Sequence, residues 1–238
     1  MSDLKTLHFY ATPEHKCSYL DDHIAQTLFV DPHAIISTDA YSELSELGFR
    51  RSGKHIYRPH CQNCQACISV RIPVAQFTPS RSQKRVLNKN ADLNIRRLKP
   101  VFTQEYYDLY AAYIETRHAD GDMYPPDPEQ FNSFLVDGNQ HTEFLEFRDQ
   151  KGRLLAIAVV DFLNHGLSAI YTFHSPAEQQ RSLGSFAILK EIELCRSLDQ
   201  PFLYLGYWVS ECRKMRYKTL FRPIEMLLDN QWIKIDQP

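Results

Sequence analysis

Helical and strand-like periodicities alternate in a fixed order along the second half of this 238-residue chain, and this order constrains the fold more than any other feature. Between residues 103 and 118, apolar side chains recur every three or four positions, which predicts an amphipathic helix. The predicted order is helix, helix, three strands, helix and strand, over residues 103–118, 129–135, 142–148, 154–163, 167–174, 182–198 and 202–205. The chain is therefore expected to have an α/β (α+β) fold.

The order of these elements resembles the GNAT acyltransferase fold. In that fold, backbone N–H groups at a helix start hold the pyrophosphate of coenzyme A. The run Arg181-Ser182-Leu183-Gly184-Ser185-Phe186 matches the first part of the corresponding motif, but Phe186 stands where a small residue is usual. A phenylalanine there is expected to crowd a pyrophosphate, so we expect the fold without coenzyme A as the donor. The alternative is that residues 181–184 simply begin a helix.

The first hundred residues predict shorter elements. They are a helix over 39–47 with its N-cap at Thr38 or Asp39, a strand over 68–73, a basic helix over 80–90 and a strand over 93–98. We therefore expect two units. Residues 1–100 would form a smaller, basic, cysteine-containing N-terminal domain, and residues 101–238 a GNAT-like transferase domain.

Charge is segregated along the chain. Residues 48–99 contain twelve Lys and Arg and a single acid, Asp92, whereas the rest of the chain contains 15 bases and 28 acids. A basic segment in an otherwise acidic protein indicates a polyanionic partner such as a nucleic acid. The alternative is a solvated surface on which Lys and Arg happen to cluster.

Three cysteines at two-residue intervals, Cys61, Cys64 and Cys67, lie inside this basic segment. Thiolates at such spacing are typical of a zinc or iron–sulfur site, which needs a fourth ligand. Cys17 is the leading candidate, with His60 or His55 as alternatives. The alternative is a set of reduced thiols that pack a loop. Cys195 falls on the apolar face of the helix predicted over 182–198, which indicates a core position.

Two further clusters carry groups suited to chemistry. The run 213–218 contains four bases beside aromatic residues, and such cations suit phosphate or carboxylate. The run 117–123 places the imidazole of His118 beside the carboxylates of Asp120 and Asp122. The alternatives are an ordinary surface helix for the first run and a helix C-terminus followed by a turn for the second.

Several classes of protein are disfavoured. No apolar run is long enough for a transmembrane helix, and the N-terminus lacks the apolar segment of a signal peptide, so we expect a cytoplasmic protein. The sequence also lacks a P-loop, a nucleophile elbow, a zincin motif and a dinucleotide-binding fingerprint. Nucleotide hydrolysis and redox chemistry are accordingly disfavoured.

Motifs along almost the whole chain resemble one family, the aminoacyl-tRNA–protein transferases, and within it the bacterial aspartate/glutamate leucyltransferases of the N-degron pathway. They include Gly48-Phe49-Arg50-Arg51-Ser52-Gly53 and Lys214-Met215-Arg216-Tyr217-Lys218. The second is shared with the larger eukaryotic arginyltransferases. The other matching runs cover residues 17–20, 57–61, 88–93, 117–123, 166–173, 181–184 and 204–208.

The resemblance implies transfer of leucine from leucyl-tRNA to the α-amine of proteins that begin with Asp or Glu, which marks them for degradation. It implies no cofactor required for catalysis, no membrane and no DNA. A zinc ion or iron–sulfur cluster at Cys17, Cys61, Cys64 and Cys67 stays open. Alternatives are arginyl transfer, a non-catalytic RNA-binding module with a metal knuckle, and an ordinary acetyl-coenzyme A transferase.

The candidate site residues fall into three roles. We expect catalysis by His118 and Asp120. We expect substrate binding by Arg117, Tyr171, Arg213, Lys214, Arg216 and Lys218. We expect contacts with tRNA from Arg50, Arg51, Arg81, Lys84, Arg85 and Lys89.

Overall fold

The computed structural model describes residues 4–138 and 141–235 of the chain. The strands are β1 Phe9–Ala11, β2 His15–Lys16, β3 Ile24–Ala25, β4 Thr27–Val30, β5 Arg50–Ser52, β6 His55–Pro59, β7 Ile68–Pro73, β8 Asn94–Leu98, β9 Thr142–Arg148, β10 Leu154–Leu163, β11 Gly166–His174, β12 Phe202–Trp208, β13 Ile224–Leu228 and β14 Gln231–Ile235. The helices are α1 Thr38–Glu46, α2 Arg81–Lys89, α3 Gln104–Arg117, α4 Pro128–Phe131 and α5 Leu183–Ser197. The 3₁₀ segment Arg213–Leu220 follows β12.

Polar side chains fix where the helices begin. The hydroxyl groups of Ser37, Ser80 and Thr103 accept hydrogen bonds from backbone N–H groups in the first turns of α1, α2 and α3. The cap of α1 therefore lies one residue before Thr38, the first of the two predicted positions. The predicted second helix of the transferase half is α4, which continues as a π-helical turn, Asn132–Val136.

An eight-stranded sheet of order β14-β13-β7-β12-β11-β10-β9-β8 forms the centre of the molecule. Its pairs are antiparallel except β11 and β12, which run parallel. The strands predicted over 68–73, 142–148 and 154–163 are confirmed residue for residue. The mixed α/β class and the predicted order of elements from α3 to β12 are thus confirmed.

The sheet is covered on both faces. Successive residues of a strand point to opposite faces, and on β10 Ala156 and Ala158 pack with α5 whereas Ile157 and Val159 pack with α3. The helices α3 and α5 therefore lie on opposite faces of the sheet. Cys195 is fully buried in the α5 cluster, which confirms its predicted core position.

The N-terminal residues form a smaller sheet of order β1-β4-β6-β5 and a short β2-β3 pair. However, β7 and β8 also come from the first hundred residues and belong to the eight-stranded sheet. The division at residue 100 stays a prediction, and the sheet itself runs across it. Within the described residues, no helix is long and apolar enough to cross a membrane.

A buried polar junction joins the small sheet to the large one. Asp161 of β10 accepts two hydrogen bonds from Arg51 of β5, at 2.6 and 2.8 Å. The hydroxyl groups of Tyr41 and Thr142 donate to the same carboxylate at 2.9 and 2.6 Å. Both oxygens of Asp161 therefore have hydrogen-bond partners within the protein.

Candidate active site

The parallel strands β11 and β12 separate after a short paired stretch. Residues 166–168 pair with residues 202–204, and beyond them β11 continues beside β10 and β12 continues beside β7. The opening between the two strands beyond Ser168 and Tyr204 is called here the strand split. Diverging parallel strands free backbone groups and side chains to face a ligand, so this is the natural place for a substrate.

Arg50 crosses the strand split. Its guanidinium donates to the Ser168 hydroxyl and to the Ala169 carbonyl, both at 2.7 Å, and both acceptors belong to β11. A Cβ on Gly206 of β12 would lie 3.2 Å from Arg50 Nε. Gly206, at φ +79°, therefore leaves room for the guanidinium to approach the second strand closely.

Two buried titratable side chains, Glu191 and Lys218, lie near Arg50 at the strand split. Glu191 of α5 is fully buried, and this burial raises its pKa to about 8, against a smaller opposing influence of Arg50. Lys218 is also buried, and burial first and Arg50 second lower its pKa to about 7. The ammonium of Lys218 donates to the Tyr207 carbonyl of β12. Both groups therefore titrate near neutral pH, which is characteristic of functional sites.

An aromatic cluster from α3 and β11 borders the same region. The ring of Tyr113 lies 4.9 Å from that of His174 and 6.3 Å from that of Tyr171, between centroids. The hydroxyl of Tyr171 is buried without a hydrogen-bond partner among the described residues. Although Tyr217 is 43% exposed, desolvation of its phenol raises its pKa, and Glu191 and Tyr113 add to this increase. Side chains from α5 and α3 therefore both lie near Tyr217.

The structure brings the two predicted clusters of the second half together. Lys214 Nζ lies 2.8 and 2.9 Å from the two carboxylate oxygens of Asp120. This contact lowers the pKa of the Asp120 carboxyl below its usual value. His118 caps α3 with its ring 5.3 Å from that of Tyr113. Burial first and Lys214 second lower the pKa of His118, which favours its neutral imidazole.

The remaining predicted substrate residues differ in exposure. Arg117 ends α3 at the surface, and its charge contributes to the lowered pKa of the half-buried His174. Arg213 and Arg216 are exposed on the segment Arg213–Leu220, whereas Lys218 on the same segment points inward. The segment thus presents one set of cations to solvent and one amine to the strand split.

The cysteines share a cavity of about 810 Å³, which Cys17, Cys61, Cys64 and Cys67 all border. Burial first and the other three thiols next raise the pKa of Cys67 to about 12, so the neutral thiol is favoured. Within residues 4–138 and 141–235, no group of three or more His, Cys, Asp or Glu side chains is arranged to hold a metal ion. The sequence spacing brought the thiols to one place, but their positions in this structure do not form a ligand set.

The cysteine cavity adjoins the other motifs. Tyr207 lines the cavity, and its carbonyl accepts the hydrogen bond from Lys218. The hydroxyl of Ser18, next to Cys17, donates to Asp122 at 3.4 Å. The cysteine-containing segment therefore contacts both the run 117–123 and the backbone at the strand split.

The predicted tRNA contacts fall into two groups. Arg81, Lys84, Arg85 and Lys89 are exposed on α2, although Lys89 donates to the Gln180 carbonyl. Arg50 and Arg51 are instead buried, with their guanidinium groups bound to β11 and to Asp161. The sequence predicted surface positions for these two residues. In the structure both are buried, because their side chains donate hydrogen bonds to acceptors on β10 and β11.

Phe186 was predicted to crowd a bound pyrophosphate, but its side chain points elsewhere. The ring of Phe186 is buried on α5, 5.7 Å from that of Phe147, and points into the core. Arg181 is held by Asp92 at 2.8 and 3.0 Å and by Glu178 at 3.2 Å. The guanidinium of Arg181, the first residue of the predicted phosphate-binding motif, is therefore already paired with carboxylates.

Sequence reasoning missed Glu191, Tyr113 and His174 as neighbours of the site. One signal was available for Glu191. It lies three residues after Ile188 and four before Cys195, on the face that the sequence marks as buried. A carboxyl group on such a face is uncommon in a core and indicates a functional position.

Comparison with known families accounts for both halves of the chain. The family model "Arginine-tRNA-protein transferase, C terminus" matches residues 105–228, and "Arginine-tRNA-protein transferase, N terminus" matches residues 15–85. The chain belongs to the aminoacyl-tRNA–protein transferase family. The strand split and the cysteine cavity thus lie within segments that define this family.

Named relatives of this transferase family match over nearly the full length. A protein of Pseudomonas fluorescens strain SBW25, "Aspartate/glutamate leucyltransferase", is 56% identical over 99% of this chain and 100% of its own length. A protein of the same name from Pseudomonas aeruginosa strain UCBPP-PA14 is 56% identical over 235 residues, again 99% of this chain and 100% of its own.

Solved structures resemble this transferase more distantly. FemX covers 87% of this chain and 81% of its own, with a TM-score of 0.49 and 9% identity. L-PGS from Bacillus licheniformis covers 60% of this chain and 46% of its own, with a TM-score of 0.47 and 8% identity.

Proposed function

We propose that this protein transfers leucine from leucyl-tRNA to the α-amine of proteins that begin with Asp or Glu. One observation carries the proposal. The chain is 56% identical, over 99% of its length and 100% of theirs, to relatives named aspartate/glutamate leucyltransferase. The product would begin with leucine, which marks a protein for degradation in the cytoplasm.

The chemistry needs no cofactor. The ester of an aminoacyl-tRNA is already activated, so the deprotonated acceptor amine can attack its carbonyl and expel the tRNA 3′ end. An α-amine has a pKa near 8, so the demand on a base is mild. Holding two large substrates in the reacting geometry can supply much of the acceleration. Donors to the oxyanion of the tetrahedral intermediate supply more.

The strand split is the proposed site for the aminoacylated 3′ end. Its aromatic border of Tyr113, Tyr171 and His174 offers an apolar surface that suits a leucyl side chain. The unpartnered Tyr171 hydroxyl is a donor available to the ester or its oxyanion. Lys218, which donates to the Tyr207 carbonyl of β12, is a second donor.

His118 is the proposed proton acceptor for the attacking amine. Burial and the Lys214 charge lower the pKa of its imidazole, which favours the neutral form that can accept a proton. Asp120 is a weak base, since Lys214 stabilises its ionised form, and its proposed role is to position the lysine.

The exposed cations of the run 213–218 are the proposed binding site for the acidic side chain of the acceptor, together with Arg117. Lys214 already binds one carboxylate, that of Asp120. An acceptor Asp or Glu would compete for this ammonium or use Arg213 and Arg216 beside it. A neutral N-terminal residue would leave these cations unpaired.

The body of the tRNA is proposed to lie along α2. Arg81, Lys84 and Arg85 project into solvent from this helix, with Lys89 at its end. Cations that neutralise phosphates release counterions, so affinity is expected to fall steeply with salt.

A zinc ion or iron–sulfur cluster at the four cysteines stays a proposal, and elemental analysis of anaerobically purified protein decides it. Stoichiometric zinc or iron would support it, and neither metal would leave the cysteines as thiols.

A transfer assay tests the proposed function. Radiolabelled leucyl-tRNA is mixed with a peptide that begins with Glu, and a peptide that begins with the isosteric Gln is the matched control. We expect label in the Glu peptide and almost none in the Gln peptide. Absence of label from both peptides would contradict the proposal.

Arginyl transfer is the second candidate, because the matching family models carry the name of arginine-tRNA-protein transferase. The same assay with arginyl-tRNA and phenylalanyl-tRNA separates the donors. Transfer of arginine faster than leucine to the Glu peptide would replace the first proposal with the second.

A further inference from the structure

Glu191 is an unusual core residue. Its side chain is fully buried on α5, between the apolar helix residues Ile188 and Cys195. Neither of its carboxylate oxygens has a hydrogen-bond partner among the described residues. An unpartnered carboxyl in a core costs free energy, and such a cost is retained mainly where a ligand later satisfies the group.

The surroundings place this carboxyl at the strand split. Cys195, one helical turn after Glu191 on α5, donates from its thiol to the Phe202 carbonyl at 3.6 Å, where β11 and β12 still pair. Because α5 runs back along these strands, Glu191 lies beside the part where they separate. Arg50, which crosses the split, and Tyr217 both interact electrostatically with Glu191.

However, the two terminal nitrogens of Arg50 donate to Ser168 and Ala169 of β11. The arginine therefore does not close an ion pair with Glu191, and both carboxylate oxygens remain buried without a partner among the described residues.

The proposed donor carries a group that needs such an acceptor. An aminoacyl ester has a free α-ammonium one carbon away from the carbonyl that reacts. A desolvated ammonium requires a negative or strongly polar partner. Near the split, Arg50 would repel it, as would Lys218 when protonated, whereas the Glu191 carboxylate would bind it. Because burial raises the pKa of Glu191 to about 8, the free side chain is mostly protonated at neutral pH. Binding of the ammonium lowers this pKa, and the carboxyl proton leaves to solvent as the ion pair forms.

We propose that Glu191 binds the α-ammonium of the aminoacyl group when the donor occupies the strand split. This role rests on the proposed function, because it assumes an aminoacyl donor. Binding would orient the ester carbonyl toward the acceptor amine. It would also make the enzyme selective for α-amino acyl donors over α-hydroxy acyl donors of the same shape. Buried hydrogen bonds to charged groups give discrimination of roughly 10- to 100-fold.

The test compares two donors that differ at one group. Nitrous acid converts leucyl-tRNA to the tRNA ester of 2-hydroxy-4-methylpentanoic acid, which has a hydroxyl in place of the ammonium. Both esters are assayed for kcat/KM with the Glu peptide, using the unaltered protein, Glu191→Gln and Glu193→Gln. Glu193 lies on the same helix but is exposed and paired with Lys190, so its variant is the matched control.

We expect the unaltered protein and Glu193→Gln to prefer the amino donor by roughly 10- to 100-fold. Glu191→Gln should lose this preference by losing rate with the amino donor alone. Its rate with the hydroxy donor should stay unchanged, which also shows that the variant is folded.

Three results would overturn the role. The first is equal use of both donors by the unaltered protein, a measurement that needs no variant. The second is an equal loss with both donors in Glu191→Gln, which would indicate a structural or proton-transfer role. The third is a Glu191→Gln variant that retains the full preference. Absence of any leucyl transfer by the unaltered protein would overturn the proposed function itself, and with it the donor on which this role depends.

Discussion

Two buried charged regions of this molecule differ in how completely their polar groups are paired. At the junction around Asp161, both carboxylate oxygens accept hydrogen bonds, from Arg51, Tyr41 and Thr142. At the strand split, both oxygens of Glu191 lack a partner within the described ranges. The first arrangement is complete by itself and holds two sheets together. In the second, the carboxyl group lacks hydrogen-bond partners until a ligand binds. The comparison therefore separates a region that stabilises the fold from a region that binds a substrate.

The largest effect on stability is expected when the buried ion pair at the Asp161 junction is broken. Asp161→Ala leaves the buried Arg51 charge without its partner, so we expect a loss of about 3–5 kcal/mol in the free energy of unfolding. Urea denaturation measures it. Glu193→Ala, which breaks an exposed pair with Lys190, should cost no more than about 0.5 kcal/mol. A similar small cost for Asp161→Ala would mean that the junction does not hold the sheets together.

Glu191 should make the free energy of unfolding depend on pH. Burial raises its pKa to about 8 from a usual value of 4.5, so the folded protein keeps the proton that the unfolded chain releases. Its contribution to stability is therefore full below pH 4.5 and is lost as the pH rises through 8. Glu191→Gln does not titrate, so its unfolding free energy relative to the unaltered protein should increase from pH 5 to pH 8. Urea denaturation at both values checks this, and a difference independent of pH would contradict the assigned burial.

A smaller effect is expected at the acceptor cations. Lys214→Ala removes an exposed ammonium, so the KM for a Glu peptide should rise roughly two- to tenfold. The KM for leucyl-tRNA should stay unchanged, and Lys190→Ala is the control for a lost surface lysine. If Lys214→Ala and Lys218→Ala both leave leucyl transfer unchanged, the run 213–218 does not bind the acceptor or the tRNA 3′ end.

The smallest effect is expected on α2. Arg85→Ala should weaken tRNA binding a few-fold and should reduce the slope of log affinity against log salt by about 1. Binding titrations between 50 and 200 mM salt, a range over which such slopes are resolved, measure both. An unchanged slope for Arg85→Ala and Lys84→Ala would place the tRNA elsewhere.

Part of the complete region was predictable because it depends on local patterns. The strands over 142–148 and 154–163, which carry Thr142 and Asp161, were predicted, and so was the helix that carries Tyr41. The strand β5 was not predicted, and its Arg51 was expected to contact tRNA. The four cysteines were also predicted to meet, since their short spacing and shared motif restrict where they can lie.

The incomplete region was less predictable because it depends on long-range geometry. Arg50 looks like a surface cation in the sequence, but the divergence of β11 and β12 creates the gap that buries it. Phe186 looked like an obstacle to phosphate, although the helical turn directs its ring into the core. Whether Arg117, His118, Asp120 and the run 213–218 bind or catalyse stays a prediction.

A structure with a stable donor analogue tests the central claim most directly. The analogue is leucyl-adenosine in which an amide replaces the ester, so that it binds but does not react. We expect its leucyl-ribose part in the strand split, with the α-ammonium within about 3 Å of a Glu191 oxygen. An analogue bound elsewhere, for example in the cysteine cavity, with the Glu191 carboxyl still unpartnered would contradict the account.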